Sequence, residues 1–444
     1  MKKALKVVLG TAIALATLAG CSKSGGDKVI NLWSFTDEIP GMVEAYKAAH
    51  PEFDYEVKTT IIATTDGAYQ PALDQALING GKDAPDMYAA EAAFVLKYTK
   101  GDMQDHAMPY ANLGIDINKA IKDGDVASYT VDIGTNTKGE VNALGYQATG
   151  GAFIYRRSIA KAVLGTDDPT EVGKILGAGT GSWDNFWAAG EKMKAAGVAL
   201  VSGDGDIWHA VENSSDKGWI VDGKLYIDPK REAFLDISKK LTDEGLSNGT
   251  QDWQDAWFAD MKDEGAKPCF GFFGPAWLIN YTLAPNCGGT KAGEGTFGDW
   301  AICPSPEGFF WGGTWVLANA KMPAGKKEAV KALIEWITLD TSKDGLQYKW
   351  ANGLMNDAGT KDSVGLGAVM AVSNGEVAFL GGQNMFDVFV PANQYANGKN
   401  LTQYDESINS IWRDQVRAYA TGTKSRDAAI ADFKTSVADK LGIN

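Results

Sequence analysis

Between residues 29 and 91 the chain alternates strand and helix patterns, and no other feature restricts its fold as much. Val29-Ile30-Asn31-Leu32-Trp33-Ser34-Phe35 is an apolar run of strand length. Thr36-Asp37-Glu38 then caps a helical pattern that stops near His50-Pro51. Residues 55–61 alternate as a second strand. Asp66-Gly67 precedes a helix with apolar positions at Leu73, Ala76 and Leu77, closed by Gly80-Gly81. Residues 84–90 form a third strand pattern that runs into Glu91 and another helix. A β-α-β-α-β order calls for a parallel sheet with helices packed on its faces.

The alternation continues less regularly. Residues 141–147 enter a glycine-rich segment, Phe153-Ile154-Tyr155 follows, and Arg156-Arg157-Ser158 starts a helix. Ser182 stands at the N-cap of a helix through Lys194. Val198-Ala199-Leu200-Val201 reads as a strand that ends in Ser202-Gly203-Asp204-Gly205-Asp206-Ile207-Trp208. The apolar run 268–273 fits a buried strand, and Gly274-Pro275 then opens a helix with Trp277 in its first turn. Further helices are predicted from Asp228-Pro229 to Leu241, over 252–262 and 326–339, and in two C-terminal segments broken at Thr421-Gly422-Thr423.

The N-terminus specifies an address. Lys2, Lys3 and Lys6 precede an apolar run over 7–18, too short for the ~20 residues of a spanning helix and typical of a secretory signal. The run ends Leu18-Ala19-Gly20-Cys21, which is similar to the lipobox of bacterial lipoproteins, with Cys21 as the lipidated first residue. A polar tether follows to residue 28. The expected protein is exported and lipid-anchored to the outer face of the cytoplasmic membrane, at the cell surface or in the periplasm.

Charge and composition narrow the ligand. The net charge is −14, and −17 once the three signal lysines are gone. Such a surface repels phosphate backbones, so nucleic acid is not an expected partner. Only six arginines are present, few for a bidentate clamp on anionic solutes. His50, His106 and His209 are too dispersed for a zinc site, and no metal or cofactor is expected. Cys287 and Cys303 are the nearest pair left for a disulfide, whereas Cys269 sits in an apolar run as a buried thiol.

Several short motifs then fall in a matching order: the lipobox, a first strand ending near Trp33, Ala84-Pro85-Asp86, Leu144-Gly145-Tyr146, Phe153-Ile154-Tyr155-Arg156, Ser182-Trp183-Asp184, Gly274-Pro275-Ala276-Trp277 and Gly312-Gly313-Thr314-Trp315. In this order the chain resembles the extracellular solute-binding proteins of carbohydrate ABC importers, the class that includes maltose-binding protein. It departs from that pattern in Arg156-Arg157 and in the extra Ala276. The resemblance implies an α/β periplasmic-binding-protein fold of two lobes, with crossover strands and a ligand cleft between them. Residues 1–20 are then the signal peptide and 21–28 the tether. Lobe 1 takes 29–142 and 313–350, and lobe 2 takes 143–312 and 351–444. The implied function is non-catalytic: a monomeric receptor that binds a sugar or oligosaccharide and delivers it to the permease of an ABC transporter.

The chemistry of the site can be argued separately. A sugar ring offers apolar C–H faces and a rim of hydroxyls, which suit an aromatic plane flanked by carboxylates and amides. Strand ends carry such pairings: Trp33 with Asp37 and Glu38, Asp206 with Trp208, and Gln383 near Phe386. Asp66, Glu91, Tyr146, Gln147, Trp277 and Trp311 complete the candidates. Each has a plainer reading. Trp33 and Trp277 are equally suited to a core, Glu91 to a helix N-terminus, and Asp204-Gly205-Asp206 to a turn. The tryptophans in helix patterns, Trp253 and Trp257 among them, read as packing. Trp311 is expected at the site and Trp315 in the core. An exported glycoside-acting enzyme, which needs two carboxyls ~5–10 Å apart, and a receptor for another small polar solute remain as alternatives.

Overall fold

The computed structural model describes residues 28–64 and 67–444. The signal sequence, Cys21 and Asp66 therefore lie outside the described residues. Among the described residues there are eleven strands: β1 (Val29–Ser34), β2 (Glu56–Ile61), β3 (Met87–Glu91), β4 (Ala143–Gly145), β5 (Ala152–Arg156), β6 (Ala199–Val201), β7 (Ile220–Val221), β8 (Lys224–Leu225), β9 (Cys269–Gly274), β10 (Trp300–Cys303) and β11 (Thr314–Ala318). Two sheets organise the molecule, in the orders β2-β1-β3-β11-β4 and β10-β5-β9-β6, and β7-β8 is a small hairpin.

In the first sheet β1 pairs in parallel with both β2 and β3, as the opening alternation predicts. β11 returns antiparallel between β3 and β4. Both faces are covered. Met87 and Ala89 of β3 enter one core while Tyr88 and Ala90 enter another, following the two-residue strand period. The second sheet repeats this, with Ile154 and Ile302 on one face and Phe153 and Cys303 on the other. Strands buried on both faces read as nearly continuous apolar runs, which is why 268–273 is so uniform. One buried ion pair ties the first sheet together. Lys326 Nζ lies 2.7 Å from Asp86 Oδ2, which also accepts the Asn31 backbone N–H.

Three segments cross between the sheets side by side. The first is 146–151, between β4 and β5. The second runs from β10 to β11 and bridges the first at Gly150–Phe310; Trp311 N–H donates to the Thr149 carbonyl at 3.1 Å. The third passes residues 363–365. Its Gly365 N–H donates to the Tyr146 carbonyl, and Val364 bridges Gln147. β4 begins at Ala143, just past the boundary expected at 142, and it belongs to the first sheet.

The expected pairing of Cys287 with Cys303 is corrected: both are free buried thiols, as is Cys269. The strand period explains this. Cys303 faces the Phe153 side of the second sheet, whereas Cys287 packs on the Trp300 side. The Cys287 thiol is directed at the carbonyls of Ala284 and Gly289, 3.1 and 3.2 Å away.

Candidate functional site

A cleft opens beside the crossing segments, and its inner compartment, about 260 Å³, is lined by aromatic rings. Three tryptophans from separate parts of the chain meet there. Trp277 follows β9, because Gly274-Pro275 ends the strand and begins a single α-turn, Ala276–Leu278. A π-helical turn, Ile279–Leu283, comes next and presents Tyr281, 49% exposed, to the same compartment. Trp253 precedes the helix Asp255–Met261 and stands 53% exposed with φ +65°. This left-handed conformation is unusual for a bulky residue. Its ring is parallel to Trp277, at 8° with centroids 6.1 Å apart. Trp311 lies at 66° to both. Its carbonyl accepts the Trp277 indole N–H at 2.8 Å, and its ring stacks on His209 at 4.3 Å.

Gly312 and Gly313 make this corner possible. Both have positive φ, +73° and +112°, and a β-carbon on Gly312 would lie 3.3 Å from the Trp277 indole nitrogen. Beyond them Trp315 turns into the core, 1% exposed, and its indole N–H donates to the Thr130 carbonyl.

Polar groups stand around the aromatic corner. Glu38 begins the helix Glu38–Ala49 and accepts the Tyr146 hydroxyl. Burial, with the charges of Asp362 and Asp37 adding to it, pushes its carboxyl up to about 8. Gln147 donates to Asp362 Oδ2 at 3.3 Å, and burial raises Asp362 to about 7. Glu91 ends β3 and accepts the Ala93 N–H at 2.8 Å. Burial raises it to about 7 against the pull of that bond.

The cleft extends outward into a second compartment of about 430 Å³, which shares Glu91, Trp253, Trp311 and Gly312 with the first. Its far wall is the helix Asp405–Ala420. Arg413 and Arg417 project from one face of that helix, four residues apart. Arg413 pairs with Asp252 at 2.9 Å and Arg417 with Asp414 at 3.5 Å. The arrangement can stack flat rings, accept and donate in the ring plane, and hold a ligand longer than one ring. Among the described residues, no group of three or more His, Cys, Asp or Glu is placed to hold a metal ion.

Of the residues predicted from sequence, Glu38, Glu91, Gln147, Trp277 and Trp311 line the inner compartment, and Tyr146 backs it through Glu38. Others are elsewhere. Asp206 and Trp208 fall inside the first turns of the helix Gly205–Ser214 rather than in an open turn. Asp206 is buried, accepting the Gly203 N–H and the Trp257 indole N–H. Trp208 is 1% exposed and packs on Phe234, so it backs the outer wall without offering a face. Trp33 is half-buried beside the Tyr69 cluster and does not reach the cleft. Asp37 is exposed at the start of its helix and acts on the cleft only through its charge on Glu38. Gln383 clamps Ile302, accepting its N–H and donating to its carbonyl at 2.9 Å each, and so extends the edge of β10.

Sequence reasoning missed Trp253, Tyr281, His209, Arg413 and Arg417. For Trp253 a signal existed. Thr250-Gln251-Asp252-Trp253 repeats the polar-plus-aromatic pairing used elsewhere, but a helix starting at 252 absorbed it, and the helix begins at Asp255.

Residues 41–367 match the family model of bacterial extracellular solute-binding proteins. No curated protein matches the chain. Among solved structures, a family 1 extracellular solute-binding protein is similar over 93% of this chain and 99% of its own, at 21% identity and TM-score 0.71. The galacto-N-biose-/lacto-N-biose I-binding protein of an ABC transporter from Bifidobacterium longum, in complex with lacto-N-biose, is similar over 95% and 98%, at 16% identity and TM-score 0.67. The sugar-binding protein MalE from Xanthomonas citri is similar over 93% and 97%, at 13% identity and TM-score 0.67. At these identities the likeness is one of fold: two α/β lobes with a cleft between them.

Proposed function

The chain belongs to the bacterial extracellular solute-binding proteins, and from that premise we propose that it binds a sugar or oligosaccharide in the cleft between its sheets. The observation that carries this reading is the corner formed by Trp253, Trp277 and Trp311, with Glu38, Glu91 and Gln147 around it. Two parallel indoles and a third across them match the C–H faces of pyranose rings, and the carboxyls and amide match their hydroxyls. That two sugar-binding proteins share the fold over nearly the whole chain supports the same ligand class.

The receptor is non-catalytic. It closes by bending where the three crossing segments run together, and Gln147 and Trp311 on those segments put ligand contacts beside the hinge, with Tyr146 behind Glu38. The closed form presents itself, as a monomer, to the permease of an ABC transporter. Family membership places the protein outside the cytoplasm. Leu18-Ala19-Gly20-Cys21 supports a lipid anchor at Cys21 on the outer face of the membrane; Cys21→Ser is expected to release the protein into the soluble fraction.

A thermal-shift screen over mono- and oligosaccharides tests the central claim. A ligand that binds only the folded state raises the melting temperature by mass action. A bound sugar is expected to do so, and silence across neutral and charged sugars alike overturns the reading.

A further inference from the structure

The cleft carries more acidic groups than a neutral sugar requires. Seven carboxyl groups and two guanidiniums line its two compartments. Both guanidiniums are already engaged, Arg413 by Asp252 and Arg417 by Asp414. Glu38 and Glu91, by contrast, form no ion pair among the described residues. Asp405, 5% exposed on the wall of the outer compartment, has one oxygen held by Thr402 and leaves its second oxygen without any hydrogen-bond partner. Burial disfavours the ionised form of the Glu38 and Glu91 carboxyls, and a cation placed beside them restores it, so the lining prefers a positively charged group.

The aromatic corner favours the same sign independently. Indole faces are negative at their centres and attract a cation held over them. Trp253 and Trp277 present parallel faces at 8°, and Trp311 closes the side between them. Glu38 and Glu91 line that compartment, while the nearest guanidiniums belong to the other one.

We propose that the preferred ligand is a sugar bearing a free, protonated amine, with the ammonium group set among Trp253, Trp277 and Trp311 and facing Glu38 and Glu91. This rests on the sugar reading and sharpens it to the amino sugars. An acetylated amine has the same ring and nearly the same shape but no charge, so it separates the two ideas.

The test is titration calorimetry on the mature protein with glucosamine and galactosamine mono- to tetramers, their N-acetylated forms, and neutral hexose oligomers of equal length. Free amines are expected to bind at least about tenfold tighter than the acetylated forms, as a desolvated cation–π contact allows. That margin is expected to shrink as salt rises and to fall in Glu38→Gln/Glu91→Gln to the part that the cation–π contact supplies. A second variant, Trp277→Phe, keeps an aromatic face and is expected to keep part of the margin. Equal or tighter binding of acetylated or neutral sugars overturns this inference and leaves the sugar receptor standing. Binding of none of the three sets overturns both.

Discussion

Trp253 offers a substitution pair whose two readouts test backbone and binding separately. Its φ of +65° is a conformation that costs a residue with a β-carbon about 1–2 kcal/mol. Trp253→Ala and Trp253→Gly delete the same indole and the same contacts with Trp257 and Trp277. The two variants then differ only in the backbone. Glycine adopts the left-handed region freely but loses roughly 0.5–1 kcal/mol more chain entropy on folding. The glycine variant is therefore expected to be the more stable of the two by about 1 kcal/mol. With an unfolding entropy of about 2.1 cal/mol/K per residue over about 400 residues, that margin corresponds to ~1 °C. Differential scanning calorimetry without ligand resolves it. Binding should respond to the missing ring alone: both variants are expected to lose about 1–3 kcal/mol of sugar affinity, or ~5- to 150-fold in Kd. An alanine variant as stable as the glycine one refutes the strain argument. Wild-type affinity in both refutes a role for the indole in binding.

Two further outcomes follow from the buried groups. Burial raises Glu38 to about 8 and Asp362 to about 7, so the folded state holds protons there that the unfolded state gives up near pH 4. Their stabilisation is complete below the unfolded values and is lost as pH rises through about 7 to 8. The wild type should therefore lose thermal stability, relative to Glu38→Gln/Asp362→Asn, between pH 5 and 8; parallel pH profiles for the two proteins would count against it. A soluble form starting after Cys21 is expected to give three titratable thiols, Cys269, Cys287 and Cys303, only after denaturation. An unchanged melting temperature with reductant goes with that, whereas a single thiol would restore the disulfide.

Much of the scaffold was legible because local signals and tertiary context agree in it. The strands at 29–35, 55–61 and 268–273 and the helices broken at 421–423 all formed within a residue or two of their patterns. Glu91, Gln147, Trp277 and Trp311 were legible at the site because each ends a strand or sits on a crossing segment. Asp206 and Trp208 misled because Gly-Asp-Gly-Asp suits an open turn and a helix start equally well, and only the burial of Ile207 and Trp208 decides between them. Gln383 misled because an amide that prolongs a sheet edge has the same composition as one that binds a ligand. Trp253 was missed because its exposure depends on one backbone angle, and Arg413 and Arg417 because only the packing of the last helices aims them at the cleft.

The π-helical turn after Trp277 makes this stretch tolerant of changes in length. A π turn holds one residue more than an α turn, so the extra Ala276 can be taken up before Leu283 without rotating the helix beyond. Deleting one residue here re-phases Trp277 by ~100°, and a return of the π turn to α winding lets β9 and the downstream core keep their register. A single-codon deletion can thus exchange the aromatic face shown to a ligand with no substitution elsewhere in the cleft.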